Sequence, residues 1–174
     1  DEKGQACGTC QSGGTESILM AIFAYREYKM KNDGVLKPNL VICETGHVAA
    51  LKACDYLNIE PRIVSFNKNF EMNIGEMKRN IDENTICVYT SYPNYPYGTC
   101  DPIHIIGPYC KSRNVPVHVD MCLGGFVSPF IEDDWSIPRE SPVSAPILTN
   151  TVFLLKESQF CSTQVISTES INTS

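Results

Sequence analysis

Cys7-Gly-Thr-Cys-Gln-Ser-Gly-Gly-Thr-Glu-Ser17 opens the most regular segment of the chain. Within it Ser12-Gly-Gly-Thr15 is a glycine turn. The residues that follow repeat at helical spacing, with Ile18, Leu19, Ile22, Tyr25 and Tyr28 on one face at three- and four-residue steps. The spacing predicts a helix from Thr15 to about Lys31. Backbone N–H groups at a helix start have no intrahelical partner, and glycines beside them allow close approach, so Ser12, Gly13, Gly14 and Thr15 form a candidate anion site. The hydroxyls of Ser12 and Thr15 add donors. The same four residues also read as a tight turn with a threonine cap, so the downstream sequence has to decide. The glycine spacing and the lysine of a P-loop are missing.

Working outward, apolar runs alternate with helical patterns. Leu40–Cys43 reads as a short strand. His47–Leu57 reads as a helix with Val48, Leu51 and Cys54 inward. Arg62–Phe66 reads as a strand, Ile74–Ile81 as a helix with Met77 inward, and Thr85–Thr90 as a β-rich strand. Pro93–Gly98 is a turn-rich loop. A helix runs from Pro102 to about Arg113, with Pro102 in its first turn and Gly107-Pro108 weakening it. Val115–Val119 is a further strand. Strands alternating with helices predict an α/β fold built on a mostly parallel, doubly wound sheet. Ligands of such sheets sit at the carboxyl ends of the strands, where Asp120 and the Tyr92–Tyr97 loop fall.

Composition narrows the function. The chain has 174 residues and a formal net charge of -6, which with no basic cluster argues against a nucleic-acid surface. The longest strictly apolar run, Ile18–Tyr25, is far below the roughly 20 residues of a membrane span. No secretory leader is read in the sequence. The nine cysteines are odd in number, and Cys43, Cys54 and Cys87 lie inside apolar runs, which predicts reduced thiols packed as small hydrophobes. Cys7-x-x-Cys10 has no second pair at matching spacing, and no metal site is expected. All eleven glycines lie at or before Gly125. The segment from Val127 onward holds 14 Ser or Thr, and six acidic residues against Arg139 and Lys156. The composition therefore shifts at about residue 130, and the chain is read as a partial ligand-binding domain over 1–133 and a divergent tail over 134–174 that gains little by burial.

Two further segments carry chemistry. Asp120 follows Val117-His-Val119, and an aspartate at a strand end can hold the proton on a pyridine-type nitrogen, keeping such a ring electron-poor. Alone it reads better as a helix cap or loop carboxylate. Cys122 would lie beneath such a ring, and Gly124-Gly125 give room or a turn. His47 begins a helix after a strand and can stack on an aromatic ring, although a single histidine is commonly structural. His104 has no supporting neighbours. His118 is expected to be buried as support, and with Asp120 it lacks a third metal ligand.

Taken in order, the glycine loop, the histidine about 30 residues later and His118-Val-Asp120 about 70 beyond resemble fold-type I pyridoxal-phosphate enzymes. The wording is similar to the sphingosine-1-phosphate lyase family. Cys7-Gly-Thr-x-x-Ser-Gly-Gly-Thr-Glu-Ser-Ile-Leu-Met-Ala21 resembles its phosphate-loop segment. His47-x-Ala-x-x-Lys-Ala53 resembles its ring-stacking segment, and His118-Val-Asp-x-Cys-Leu-Gly-Gly-Phe126 its pyridine-nitrogen segment. Tyr95-Pro-x-Gly98 and Asp101-Pro102 match the loop between them. The match runs from about residue 6 to Pro129-Phe-Ile-Glu132. Group II amino-acid decarboxylases share the plan, but Thr15-Glu16-Ser17 favours the lyase.

The resemblance implies pyridoxal 5'-phosphate held by Ser12, Gly13, Gly14, Thr15, His47, Asp120 and Cys122. It implies retro-aldol cleavage of a phosphorylated sphingoid base between C2 and C3, giving a long-chain aldehyde and phosphoethanolamine. A homodimeric parent is implied too, with the full-length family at the endoplasmic reticulum membrane and this chain alone soluble. One departure stands out. The family's Schiff-base lysine lies in an Asp-x-His-Lys motif roughly 35 to 40 residues after the aspartate. Lys156 has the spacing, but Leu155 stands where the histidine should be. The chain is therefore expected to be an incomplete large domain, a truncated or mis-spliced product without C–C cleavage of its own. Alternatives are a fragment of a group II decarboxylase and a non-catalytic shortened subunit.

Overall fold

A computed structural model describes residues 6–122, 124–131, 147–152 and 161–167. Seven strands form one sheet in the order β1-β7-β6-β5-β4-β2-β3. They are β1 (Ala6–Gln11), β2 (Asn39–Cys43), β3 (Glu60–Val64), β4 (Thr85–Ser91), β5 (Val117–Asp120), β6 (Ile147–Val152) and β7 (Cys161–Ser167). From β3 to β6 all neighbours are parallel. β7 runs antiparallel to both β6 and β1. The expected mostly parallel α/β sheet is therefore present. β6 and β7 come from the segment after residue 133, and β1 from the stretch that reads as glycine loop.

Among the described residues five helices join these strands: α1 (Gly14–Asp33), α2 (Val48–Tyr56), α3 (Ile74–Asn80), α4 (Ile103–Ser112) and α5 (Gly124–Ile131). One core joins α1 and α2 to one face of the sheet through Ile18, Ile22, Tyr25, Ala50, Ala53, Leu40, Ile42 and Tyr89. A second joins α3 and α4 to the other face through Met77, Ile106, Cys110, Val41, Val88 and Val119. Side chains alternate across a strand, so neighbouring residues of β2 and β5 serve opposite cores, as a doubly wound sheet requires.

Two helix faces differ from the sequence expectation. On α2, Val48 is 69 % exposed, whereas Ala49, Ala50, Ala53 and Cys54 are buried. α2 packs against α1, and small alanines permit that close approach better than the larger Val48 and the half-buried Leu51. On α1 the buried stripe ends at Lys29 rather than Tyr28. The Lys29 ammonium pairs with Asp33 and donates to the Asn114 carbonyl at 2.6 Å, which satisfies its buried charge. Gly34, at φ 69°, closes α1 in the left-handed conformation and donates its N–H to the Lys29 carbonyl. α4 runs through Gly107-Pro108, and Pro102 is its N-cap.

Candidate functional site

Strand direction gathers the expected site residues at one edge. β2, β4 and β5 end there at Cys43, Ser91 and Asp120. β1 is reversed twice relative to β6, through β7, so Gln11 ends at the same edge. One register row crosses the sheet from Asp120 through Thr149 and Gln164 to Thr9. The glycine loop, the turn after β2 and the end of β5 thus share the carboxyl edge where ligands of doubly wound sheets bind.

Asp120 is buried, 6 % exposed. Its Oδ2 accepts the Tyr89 hydroxyl at 2.6 Å. Its Oδ1 accepts the Cys122 backbone N–H at 3.3 Å and the Cys122 thiol at 2.9 Å. Among the described residues no Lys, Arg or His nitrogen forms an ion pair with it. Among the described residues this buried carboxylate is held by neutral donors alone, without the positive partner that buried carboxylates need. The donor set therefore fits a cationic N–H at the open side, as a protonated pyridine ring would supply.

Below Asp120 on the same face of β5, His118 is fully buried. Its ring stacks on Tyr89 at 4.8 Å and 18°, and the Tyr25 ring of α1 meets it edge-on at 6.1 Å. Burial holds the His118 imidazole down to about 4, against the opposing pull of the Asp120 charge. The Tyr89 phenol is pushed well above its ordinary value, first by burial and then by the Asp120 charge. At neutral pH the Tyr89 phenol is thus a permanent donor and His118 is uncharged. His118 is buried, as its sequence context predicts, and its ring packs on Tyr89.

His47 is the N-cap of α2, and its Nδ1 accepts the Ala49 N–H at 3.1 Å. The ring proton therefore sits on Nε2, and the imidazole is exposed at the carboxyl edge. Ser12 spends both of its donors on Glu16: backbone N–H and hydroxyl reach the same carboxylate oxygen, the N–H at 2.7 Å. Those bonds hold the Glu16 carboxyl below its usual range. The remaining N–H groups of the Gly13–Thr15 turn head α1. Thr15 is exposed. Lys156 lies outside the described residues.

Gly124 starts α5 directly against the loop after β4. A Cβ at this position would stand 2.1 Å from the Tyr92 carbonyl oxygen. The Tyr92–Gly98 loop is pinned in turn by Asn94, whose side chain donates to the Phe70 carbonyl at 3.0 Å and to the Thr99 hydroxyl at 2.7 Å. Asp101, buried behind it, accepts the backbone N–H groups of Met72 and Ser91, both at 2.8 Å.

Sequence reasoning missed Tyr89 and the anchoring role of Asp101. A tyrosine inside the apolar run Thr85–Ser91 was the available signal, because a buried phenol seeks a partner.

The model of the pyridoxal-dependent decarboxylase conserved domain matches residues 1–143. The chain belongs to this family. Within the family, a sphingosine-1-phosphate lyase of Oryza sativa subsp. japonica is 45 % identical over 127 residues, covering 73 % of this chain and 24 % of that protein. Sphingosine-1-phosphate lyase 1 of Mus musculus is 39 % identical over 137 residues, covering 79 % and 24 %. A probable L-tyrosine/L-aspartate decarboxylase of Methanothrix thermoacetophila is 33 % identical over 144 residues, covering 82 % and 37 %. Among solved structures, sphingosine-1-phosphate lyase of Burkholderia pseudomallei superposes with a TM-score of 0.83 at 26 % identity, over 94 % of this chain and 39 % of that one. The chain spans about a quarter of the length of the curated lyases it matches. The family and its lyase members imply pyridoxal phosphate as cofactor. Among the described residues no helix is long and apolar enough to cross a membrane, and no group of three or more candidate ligands could hold a metal ion.

Proposed function

We propose that this chain is the cofactor-binding part of a lyase that cleaves phosphorylated sphingoid bases into a long-chain aldehyde and phosphoethanolamine. The observation that carries the reading is Asp120: a buried carboxylate at the end of β5, held by neutral donors and without a cationic partner among the described residues. Bound pyridoxal phosphate supplies an electron-poor ring that takes up the electron pair when the C2–C3 bond breaks. Asp120 keeps the proton on the ring nitrogen. Cys122 and the exposed His47 imidazole would help to hold the ring. The N–H groups of Gly13, Gly14 and Thr15 bind the phosphate at the start of α1, with Ser12 joining when it releases Glu16.

The substrate class is supported by the lyases of rice and mouse, at 45 % and 39 % identity. The archaeal decarboxylase, at 33 % over a larger share of this chain, supports a second reading in which the same cofactor releases carbon dioxide from an amino acid. The proposed whole protein is a homodimer at the endoplasmic reticulum membrane.

Two measurements test this. Absorbance titration with pyridoxal phosphate gives saturable binding that weakens at least about tenfold in Asp120→Ala, as expected when a desolvated charge pair is broken. A full-length protein carrying these residues releases aldehyde from a phosphorylated sphingoid base. Carbon dioxide from an amino acid, with no aldehyde, would move the assignment to the decarboxylases.

A further inference from the structure

An ionised carboxylate offers about four lone-pair sites. In Asp120 three are taken among the described residues: one on Oδ2 by the Tyr89 hydroxyl, and two on Oδ1 by the Cys122 N–H and thiol. The open site is on Oδ2, the oxygen that Tyr89 holds. The direction of that open lone pair is thus set by a residue of the neighbouring strand. We infer that Tyr89 is a positioning residue, aiming the free lone pair of Asp120 at the nitrogen of a cationic heterocycle. The inference rests on the cofactor reading above and deepens it.

Three observations make the Tyr89 hydroxyl a fixed reference. The residue is fully buried in the middle of the sheet, paired in register with Ile42 and His118. Its ring is clamped by the parallel His118 ring, which the Tyr25 ring of α1 meets from its far end. The 2.6 Å hydrogen bond is short, as bonds to an anion are. A lysine or arginine here would hold the carboxylate equally well but cancel its charge. A phenol orients the anion and leaves the charge for the ligand. Burial keeps the phenol protonated and His118 neutral, so neither of these two neighbours competes as a cation.

The test compares pyridoxal phosphate with its 1-deaza analogue, in which C–H replaces the ring nitrogen. Absorbance titrations are run on this chain and on Tyr89→Phe. The wild type prefers pyridoxal phosphate. Tyr89→Phe loses about tenfold of that preference, the size of one hydrogen bond to a charged group, while its affinity for the deaza analogue stays within about twofold. An unchanged preference in Tyr89→Phe overturns the inference and leaves the cofactor reading standing. A wild type that binds both ligands equally overturns the ring-nitrogen role of Asp120, and the inference with it. If Tyr89→Phe does not fold, a fluorotyrosine at position 89 keeps the volume and sharpens the donor. The preference then changes by about threefold or more, and an unchanged value overturns the inference.

Discussion

The rings of His118 and Tyr89 lie nearly parallel, 18° apart with centroids at 4.8 Å, and a single register pairing between β5 and β4 puts them there. The stack gives His118 a place where its charged form is excluded. Its folded value is about 4 against 6.5 in an open chain, with burial as the first cause. The unfolded state therefore takes up the proton first as pH falls. The contribution of neutral His118 to stability is complete above about pH 6.5 and is lost between there and about pH 4. At pH 5 the loss is about 2 kcal/mol relative to pH 7. Urea unfolding at the two pH values should show it in the wild type. His118→Phe should lack that share of the slope, and equal slopes would refute the assignment.

Gly124 carries a different constraint. Any side chain there meets the backbone of the loop after β4, with a Cβ 2.1 Å from the Tyr92 oxygen. Backbone cannot rotate away as a side-chain tip can. Gly124→Ala should therefore destabilise the protein by about 1–3 kcal/mol, the ordinary cost of overpacking. Gly13→Ala is the control, since a Cβ there meets nothing within 4 Å. A thermal melt that drops for both variants alike would remove the close-approach explanation.

The helices and strands from Leu40 to Val119 were legible because each carries a clean period or a β-rich run. The rotation of α2 was not. Val48, Leu51 and Cys54 have the right spacing, but what decides the face is how closely α1 can approach, and that favours the alanines. β1 was hidden because Cys7-Gly-Thr-Cys10 reads as part of the glycine loop, and it becomes a strand by pairing with β7, over 150 residues away. α5 was hidden by Gly124-Gly125, two residues that weaken a helix by propensity yet suit this packing. Asp120 and Cys122 could be found from sequence because they are two residues apart. The contact between Tyr89 and Asp120 spans 31 residues and depends on register alone.

Asp101 joins the loop before α3 to the end of β4 through two backbone N–H bonds. An amide in its place can accept from one of them and must turn its own N–H toward the other. Asp101→Asn should cost about 1–3 kcal/mol, the penalty of a buried donor left without an acceptor. Because Asn94 and Thr99 tie the same region to the Phe70 carbonyl, the Tyr92–Gly98 loop should become the first site of proteolytic cleavage. Unchanged cleavage kinetics would mean that Asn94 and Thr99 hold the loop unaided.

His47 serves two purposes that substitution can separate. As an N-cap it accepts the Ala49 N–H. As an exposed ring at the carboxyl edge it is proposed to stack on the cofactor. His47→Ala removes both, and should cost about 1 kcal/mol of stability together with cofactor affinity. His47→Asn restores a cap and not the ring. It should recover the stability to within a few tenths of a kcal/mol, while pyridoxal phosphate still binds several-fold more weakly. Full recovery of binding in His47→Asn would reduce His47 to a capping residue.

Catalysis by this chain is expected to be absent, for a chemical reason. The proposed ring-nitrogen pairing at Asp120, stacking at His47 and phosphate binding at Gly13–Thr15 would hold a cofactor, but none of them offers an amine to exchange with a substrate amine. In the sequence the candidate is Lys156, 36 residues after Asp120 and preceded by Leu155 instead of histidine. A cofactor with no lysine bonded to it captures substrate and releases product more slowly. Incubation with pyridoxal phosphate followed by borohydride reduction and peptide mapping should give only scattered, substoichiometric labelling. Incubation with a phosphorylated sphingoid base should release no long-chain aldehyde. A stoichiometric adduct on Lys156 accompanied by aldehyde release would overturn this expectation and make Lys156 the catalytic lysine.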